Sequence, residues 1–233
     1  MDRSKGGNLA SDHLPRVATE RILATLQATY PEARSSLVYR NSFELLVATM
    51  LSAQSTDAQV NRITPKLFAV CPSPERMVAT PLSEIEQLVS GCGLFRTKAT
   101  NLQATAGLLI ERHGGQVPDR MEDLLALPGV GRKTANVVLS NGFGIPAIAV
   151  DTHVFRVANR IGLCRASTPE AAEEQLCRRI PRRLWSSAHH WLIWHGRLVC
   201  LARTPRCASC PLLPYCRYGK AARRYPTQGT YSR

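Results

Sequence analysis

The sequence predicts an all-α protein, and three observations carry this prediction. Apolar residues recur with the period of a helix. After Asn41 they occupy positions 43, 46, 47, 50 and 51, which fall on one helical face. Helix start and stop signals follow one another closely, so we expect about ten short helices. Short β-like pieces such as residues 147–150 are too brief to argue for a sheet.

Helix starts are indicated by capping residues and by proline. A residue that caps with its side chain, followed three positions later by Glu or Gln, forms a capping box, and a proline often occupies the first helical position. The candidate starts are Thr56 with Gln59, Ser83 with Glu86, Asp119 with Glu122, Ser73-Pro74 and Thr168-Pro169. Helix ends are predicted at Pro31, Gly91, Gly114-Gly115 and Gly162.

The net charge indicates a polyanionic partner. The chain of 233 residues carries 30 Lys and Arg against 17 Asp and Glu, a formal charge of +13. Nucleic acid is the leading candidate, and an acidic membrane surface is the alternative. The membrane alternative is weak because no apolar run approaches the roughly 20 residues that span a bilayer, and no basic amphipathic helix stands out.

The N-terminal residues contain no apolar segment of the kind found in secretory signals. We therefore expect a reducing cytoplasm. In that compartment the eight cysteines are more naturally metal ligands or buried thiols than disulfides. Residues 1–13 and the basic tail 221–233 are predicted to be disordered.

The stretch LPGVGRKTANVV, residues 127–138, predicts a helix-hairpin-helix. Gly129 and Gly131 allow backbone conformations that a Cβ atom forbids, and a helix is expected to begin near Arg132. Amide groups in such a bend and at the following helix N-terminus can bind a phosphate. Lys133, Asn136 and Ser140 share a face outside the apolar stripe of that helix. The alternative is an ordinary corner between helices with solvated cations.

Four cysteines near the C-terminus indicate a metal site. They follow the spacing C-x6-C-x2-C-x5-C and are Cys200, Cys207, Cys210 and Cys216. Zinc and a 4Fe-4S cluster both accept four thiolates, so spacing alone leaves the two open. The remaining cysteines are scattered and are interpreted as buried or incidental thiols; they are Cys71, Cys92, Cys164 and Cys177.

Asp151 separates the apolar residues 147–150 from a helical run, which is where an N-cap is expected. His153 lies in the first turn of the same helix, and a lone histidine there is more often structural than catalytic. Arg203 and Arg206 lie between the first two cysteines of the C-terminal group. They are candidates either for DNA phosphates or for balancing the negative charge of a metal site.

The segment LPGVGRKTANVVLSNGFGIPAIAVDTHVFRVANR, residues 127–160, resembles the core of bacterial endonuclease III, a bifunctional DNA glycosylase and lyase of the helix-hairpin-helix superfamily. The resemblance runs from about residue 22 to residue 218. It implies two helical lobes, one of residues 35–145 with six helices and the hairpin, the other of residues 14–34 plus 146–220 with a 4Fe-4S cluster on the four C-terminal cysteines. The implied function is excision of oxidised pyrimidines from duplex DNA, followed by β-elimination.

The resemblance also implies roles for individual residues. Lys133 matches the nucleophile of the family, and Asp151 matches an essential aspartate. Gln54, in LSAQ, and Leu94, in a GL segment, match the side chains that enter the duplex where a base is flipped out. The implied contacts to DNA are made by Gln54, Leu94, Gly129, Val130, Gly131, Arg132, Arg203 and Arg206.

An amine suits this chemistry because its attack at C1′ leaves an iminium that acidifies the 2′ hydrogens. Only the neutral amine is nucleophilic, and a free lysine has a pKa near 10.4, so the site should favour deprotonation of Lys133. Desolvation and the adjacent charge of Arg132 would both act in that direction. The Asp151 carboxylate would help to activate the amine and stabilise the developing positive charge.

Two other functions compete with this one. An adenine glycosylase of the same superfamily lacks the lysine and carries a catalytic glutamate where this chain has Ala48, so two positions oppose it. The second is a non-catalytic DNA-binding regulator that uses the cluster as a sensor. Borohydride trapping on abasic DNA separates an enzyme from a simple binding protein.

Overall fold

The computed structural model describes residues 14–224, and within this range all regular structure is helical, which confirms the predicted fold class. The α-helices are α1 Arg16–Thr29, α2 Ser42–Leu51, α3 Asp57–Val70, α4 Pro74–Ala79, α5 Leu82–Val89, α6 Phe95–His113, α7 Met121–Leu125, α8 Arg132–Phe143, α9 Thr152–Ile161, α10 Pro169–Arg179, α11 Trp185–Leu198 and α12 Arg217–Arg224. Two 3-10 turns, Arg182–Leu184 and Cys207–Ser209, complete the set.

Three of the predicted helix starts are confirmed. The side chains of Thr56, Ser73 and Thr168 each accept a hydrogen bond from the amide three residues later. The predictions at Ser83 and Asp119 are wrong. The fixed φ of Pro81 lets α5 begin two positions early, at Leu82, with Pro81 in place of Ser83 as its cap. Helix α7 begins only after Arg120, which is extended.

Two of the predicted helix ends are confirmed, since Gly114 and Gly162 adopt left-handed conformations after α6 and α9. Gly91 does not end a helix, because α5 stops at Val89 with Ser90 as its cap. Its glycine instead allows close approach of α3, since a Cβ there would lie 2.6 Å from Nε2 of Gln59.

The predicted disordered tails are only partly covered. Residues 1–13 and 225–233 lie outside the described range. Residues 221–224 continue α12, so the prediction of a tail from residue 221 is wrong at its start. The basic charge of this segment suggested a disordered tail, but the alanines at 221 and 222 favour a helix.

The chain forms two compact units. Unit 1 contains residues up to Glu32, Val150–Pro181 and Trp191 onward. Unit 2 contains Ala33–Ala149 and Arg182–His190, so residues 182–190 group with unit 2. No helix within residues 14–224 is long and apolar enough to cross a membrane.

Unit 2 is built on one apolar core. Helix α2 packs against α8, α4 and α5 pack against α6, and α7 packs against α8. The core includes buried residues from every helix of α2 to α8. Helix α2 lies at its centre, with each residue from Phe43 to Leu51 buried. In unit 1, α9 contacts both α10 and α12.

Candidate active site

The hairpin between α7 and α8 is fixed by hydrogen bonds and by one glycine. The Val130 amide donates to the Leu127 carbonyl at 3.1 Å, and the Thr105 hydroxyl donates to the Pro128 carbonyl at 2.9 Å. Gly129 has φ +74, and a Cβ there would meet the Asn101 amide nitrogen at 2.7 Å. Glycine is therefore required at 129 both by backbone conformation and by the close approach of α6.

Gly131, unlike Gly129 and contrary to the sequence prediction, has an ordinary backbone conformation. It is the N-cap of α8 with φ −93 and ψ 174, which any residue adopts. A Cβ there would meet nothing within 4 Å. Neither the fold nor the packing of the hairpin requires glycine at 131. Only a molecule that approaches the bend from outside would require it.

The N-terminus of α8 is open to an anion. No side chain caps it, and Gly131, Arg132 and Lys133 are all exposed. The first amide groups of a helix have no partner within the helix, and its dipole adds a partial positive charge at this end. The predicted phosphate-binding geometry therefore needs no rearrangement of the protein.

Val130, predicted to contact DNA, faces inward. Its side chain is 6 % exposed and belongs to the core of unit 2, and its amide is already bonded to Leu127. Its described contacts hold the bend in shape, and the outward-facing groups come from its neighbours.

Lys133 is the second residue of α8 and its side chain is exposed. The other two members of its predicted polar face, Asn136 and Ser140, are buried. Asn136 donates to the Ile148 carbonyl at 3.2 Å, which holds the segment after α8 against that helix. Of the predicted polar face, only Lys133 in the first turn is therefore exposed.

A buried histidine near Lys133 was not predicted from the sequence. Burial, with smaller contributions from the charges of His190 and Lys133, lowers the pKa of His189 to about 3, and the ring bonds to the Ala149 backbone. His190 bonds through Nε2 to Oδ1 of Asn141 at 2.9 Å. Two adjacent histidines in an apolar helix were the only signal, and that signal is not specific.

Asp151 is the N-cap of α9, as predicted. Its Oδ1 accepts a hydrogen bond from the Val154 amide at 2.8 Å, and the residue is half-buried. Asp151 belongs to unit 1 and Lys133 to unit 2.

His153 has a structural setting within unit 1. Its Nδ1 lies 3.2 Å from Nη2 of Arg156, and its Cβ packs where a side chain on Gly196 would otherwise be. These contacts agree with the structural interpretation of a histidine in the first turn.

Gln54 and Leu94 share an uncommon backbone conformation. They are the two non-glycine residues with positive φ in the described part of the chain, at 56 and 57. Both are exposed, and Leu94 exposes 61 % of its surface although it is apolar. Left-handed backbone at a leucine costs about 1–2 kcal/mol, and such strain is concentrated at functional sites.

The four C-terminal cysteines form a group within unit 1. Burial raises the pKa of the Cys210 and Cys216 thiols, and the charges of Cys200 and Cys207 raise it further, so the four sulfurs lie near one another. The described residues contain no cluster of three or more ligands around a single-ion position. The four scattered cysteines are buried or half-buried, as expected.

Hydrogen-bond donors surround this sulfur group. The Gly219 amide donates to Sγ of Cys216 at 3.3 Å, and Nη1 of Arg160 donates to Sγ of Cys200 at 3.7 Å. Nε2 of His195 lies 3.5 Å from Sγ of Cys210. Three of the four sulfurs thus lie within hydrogen-bond distance of an N-H group or of the His195 ring, an environment that fits an iron-sulfur cluster.

Two arginines of α9 hold the start of the cysteine segment. Nε of Arg156 donates to the Cys200 carbonyl at 3.2 Å, and Arg160 donates to the carbonyls of Leu201 and Ala202 at 2.7 Å each. Arg203 and Arg206, the residues singled out from the sequence, are exposed. The arginines that anchor the segment were not predicted, because they lie about 40 positions before it.

Comparison with known proteins identifies the family. Residues 47–182 match the family model of the HhH-GPD superfamily of base excision DNA repair proteins. Endonuclease III of Bacillus subtilis is 52 % identical over 82 % of this chain and 88 % of its own length. The chain belongs to the endonuclease III family. Endonuclease III of Escherichia coli K12 is 45 % identical over 84 % of the chain and 93 % of its own length.

Solved structures agree with this assignment. A trapped covalent intermediate of endonuclease III with DNA has a TM-score of 0.87 and 47 % identity, and covers 91 % of this chain and all of its own. A thermostable thymine-DNA glycosylase has a TM-score of 0.80 and 25 % identity, and covers 88 % of this chain and 98 % of its own.

The protein is therefore a base excision repair enzyme with DNA glycosylase and abasic-site lyase activity, the activity of endonuclease III. This assignment removes the non-catalytic regulator. At the position where an adenine glycosylase would carry a glutamate, Ala48 is fully buried in the core of unit 2.

Proposed function

We propose that Lys133 is the nucleophile of this enzyme and that Asp151 is its electrostatic and acid-base partner. The observation that carries the proposal is the exposed amine in the first turn of an uncapped helix that follows a phosphate-binding bend. The solved relative that is a covalent intermediate with DNA supports an enzyme nucleophile. The substrates are oxidised pyrimidines in duplex DNA and the abasic sites left by their removal.

The first step replaces the bond between base and sugar. Amides at the start of α8 hold a backbone phosphate, which places the neighbouring sugar within reach of Lys133. The neutral amine attacks C1′ while the C1′–N bond to the base breaks, and the base leaves with the bonding electrons and gains a proton. The Asp151 carboxylate stabilises the positive charge that develops on the sugar.

The second step cuts the strand. The Lys133 nitrogen loses a proton, and its lone pair then breaks the C1′–O4′ bond. O4′ takes the electrons of that bond and a proton, the sugar ring opens, and an iminium remains between the nitrogen and C1′. The iminium acidifies the 2′ hydrogens, and loss of one of them expels the 3′ phosphate with its C–O bond electrons. Water then hydrolyses the iminium and releases the enzyme.

Lys133 is exposed in the protein alone, so the dry environment that its neutral amine requires would have to come with the bound DNA. We propose that Gln54 and Leu94 fill the gap that the flipped base leaves in the stack, which keeps the base outside the duplex. Extraction costs a few kcal/mol, and a polar amide with an apolar wedge offsets part of that cost.

We propose that Cys200, Cys207, Cys210 and Cys216 hold a 4Fe-4S cluster, as the resemblance to endonuclease III implies. The grouped sulfurs and their N-H donors fit such a group. The bound cluster would cross-link residues 200–216 and stabilise this segment. We also propose that the enzyme acts as a monomer in the bacterial cytoplasm.

The test is borohydride trapping on an abasic duplex, with Lys133→Gln and the matched control Lys66→Gln. Lys66 is an exposed lysine of α3 in the same unit. Borohydride reduces the iminium, so the wild-type protein and Lys66→Gln should form a covalent adduct. Lys133→Gln should form none, yet should bind the duplex within about tenfold of wild type, because backbone amides make the phosphate contacts. An adduct formed by Lys133→Gln would assign the nucleophile elsewhere.

A further inference from the structure

Two exposed turns of unit 2 carry the side chains proposed to enter the duplex. One follows α2 and contains Gln54, and the other precedes α6 and contains Leu94. Their strained backbones, φ 56 and φ 57, persist only where the surroundings hold them. The two turns also touch, since a Cβ on Gly93 would lie 3.5 Å from the Gln54 carbonyl oxygen.

Lys98 is a buried cation beneath the first of these turns. It is 8 % exposed, and its ammonium donates to the carbonyls of Leu51 at 2.9 Å and Ala53 at 2.6 Å and to Oγ of Ser55 at 3.1 Å. These bonds use all three donors of an ammonium group. Ala53 and Ser55 flank Gln54, so the ammonium holds this turn through the backbone of Ala53 and through the side chain of Ser55.

The second turn is joined to the first by packing and to α6 by a backbone bond. The backbone amide of residue 98 donates to the Leu94 carbonyl at 3.0 Å, the first hydrogen bond of α6, and this bond does not depend on the lysine side chain. Leu94 is the N-cap of that helix without a side-chain hydrogen bond of its own. The Lys98 ammonium therefore acts on Ala53 and Ser55, which flank Gln54, and reaches Leu94 through the contact between the two turns.

A purely structural role does not account well for the charge. The described hydrogen bonds of Lys98 include no carboxylate, and burial lowers the pKa of its ammonium. A buried charge without a counter-ion is costly, and that cost is offset here by its bonds to the two carbonyls and the hydroxyl. The ammonium supplies what an apolar side chain cannot, three donors directed at one turn.

We propose that Lys98 is a positioning residue whose ammonium holds the left-handed turn of Gln54 and, through the contact between the two turns, also keeps Leu94 in place for entry into the duplex. The proposal rests on the roles proposed for Gln54 and Leu94. Lys98 acts through these residues and does not itself touch the substrate.

The test compares Lys98→Met with wild type and with the Gln54→Ala/Leu94→Ala double variant. Far-ultraviolet circular dichroism and a thermal midpoint establish folding. The first readout is the fluorescence of 2-aminopurine placed beside an oxidised pyrimidine, which rises as the duplex is opened. The second is single-turnover excision of that pyrimidine, and the third is borohydride trapping on single-stranded abasic DNA, where no stack has to be opened.

Lys98→Met should lose most of the fluorescence rise and about tenfold or more in excision, while single-stranded trapping stays within about twofold of wild type. Adding Lys98→Met to the double variant should cost no further excision, because a residue that acts through two others has nothing left to position. An equal loss in all readouts, or an additive loss in the combined variant, would show that Lys98 is only part of the core.

Ser55→Ala carries the test if Lys98→Met does not fold, because it removes one acceptor of the ammonium at a half-buried position. Its excision should fall by about two- to tenfold with single-stranded trapping unchanged, and unchanged excision would overturn the inference. The controls separate this inference from the proposed function. Wild type that is not trapped, or a double variant that excises normally, refutes the proposed roles, whereas normal excision by Lys98→Met refutes the positioning role alone.

Discussion

Gly131→Ala should separate DNA binding from stability. The backbone at Gly131 is ordinary for any residue, and the space for a Cβ is open. An alanine at an N-cap is somewhat worse than a glycine, while the loss of glycine restricts the unfolded chain. These effects oppose each other, so the free energy of unfolding should change by no more than about 1 kcal/mol.

DNA affinity should respond differently. The added methyl group would lie on the exposed side of the bend, between a phosphate and the first amides of α8. Loss of one hydrogen bond to a charged group costs about 1.5–3 kcal/mol, which weakens binding by roughly ten- to a hundredfold. Damaged and undamaged duplex should weaken alike, because the contact is to the backbone.

The assay is fluorescence anisotropy with labelled duplex over a series of salt concentrations. If about six phosphates are neutralised, the slope of log K against log salt is near −5. Gly131→Ala should keep that slope and lower log K by the same amount at every salt concentration. Gly107→Ala is the matched control, since a Cβ at Gly107 in α6 also meets nothing within 4 Å. Gly129→Ala gives the contrast and should lose about 1–2 kcal/mol of stability from its φ of +74 alone. Normal DNA affinity of Gly131→Ala would refute phosphate binding at this bend.

Three further predictions follow from the site and the core. Asp151→Asn keeps an oxygen that can accept from the Val154 amide, so the free energy of unfolding should change by less than about 1 kcal/mol. Single-turnover excision should fall about a hundredfold or more. Normal excision would leave Asp151 as a helix cap only. Cys207→Ser should lower the iron content, measured by metal analysis, and the thermal midpoint, measured by calorimetry. Stoichiometric zinc without iron in the wild-type protein would contradict the cluster. The pKa values of His189 and His190 are lowered to about 3 and about 4, so the neutral forms favour the folded state, and the stability they provide is complete above about pH 6.5 and declines as the pH falls towards 4. The free energies of unfolding from urea titrations at pH 7 and pH 5 should differ by about 2 kcal/mol for each of these histidines. A His190→Gln protein that keeps the full difference would contradict the assignment.

Local signals in the sequence were sufficient for much of the fold. Thr56 and Thr168 cap their helices because a cap depends on a side chain and an amide three residues away. Gly129 was predicted to need a special backbone, and it does. Asp151 follows the same rule, and its cap hydrogen bond to Val154 was predictable without any knowledge of the rest of the chain.

Contacts between distant segments account for what the sequence did not predict. The side-chain partners of Lys98 lie 43 to 47 positions before it. A lysine on the buried face of α6, four residues before Leu102, was the one signal, and it does not identify those partners. The inward orientation of the Val130 side chain was missed for the same reason, since a small apolar residue in a bend can face either way until the rest of the core is known.

Helix α9 has a consequence for how this family can evolve. It begins at the cap Asp151, and its two arginines bond the carbonyls at the start of the cysteine segment, all within ten helical residues. Such a helix is about 15 Å long and rigid, so a change at one end alters the other. A lineage that lost the four cysteines, and with them the fold of their segment, would no longer place the carbonyls that Arg156 and Arg160 bind, and the three features should disappear together. An alignment in which cysteine loss and retention of both arginines occur independently would show that the two ends of α9 are not coupled.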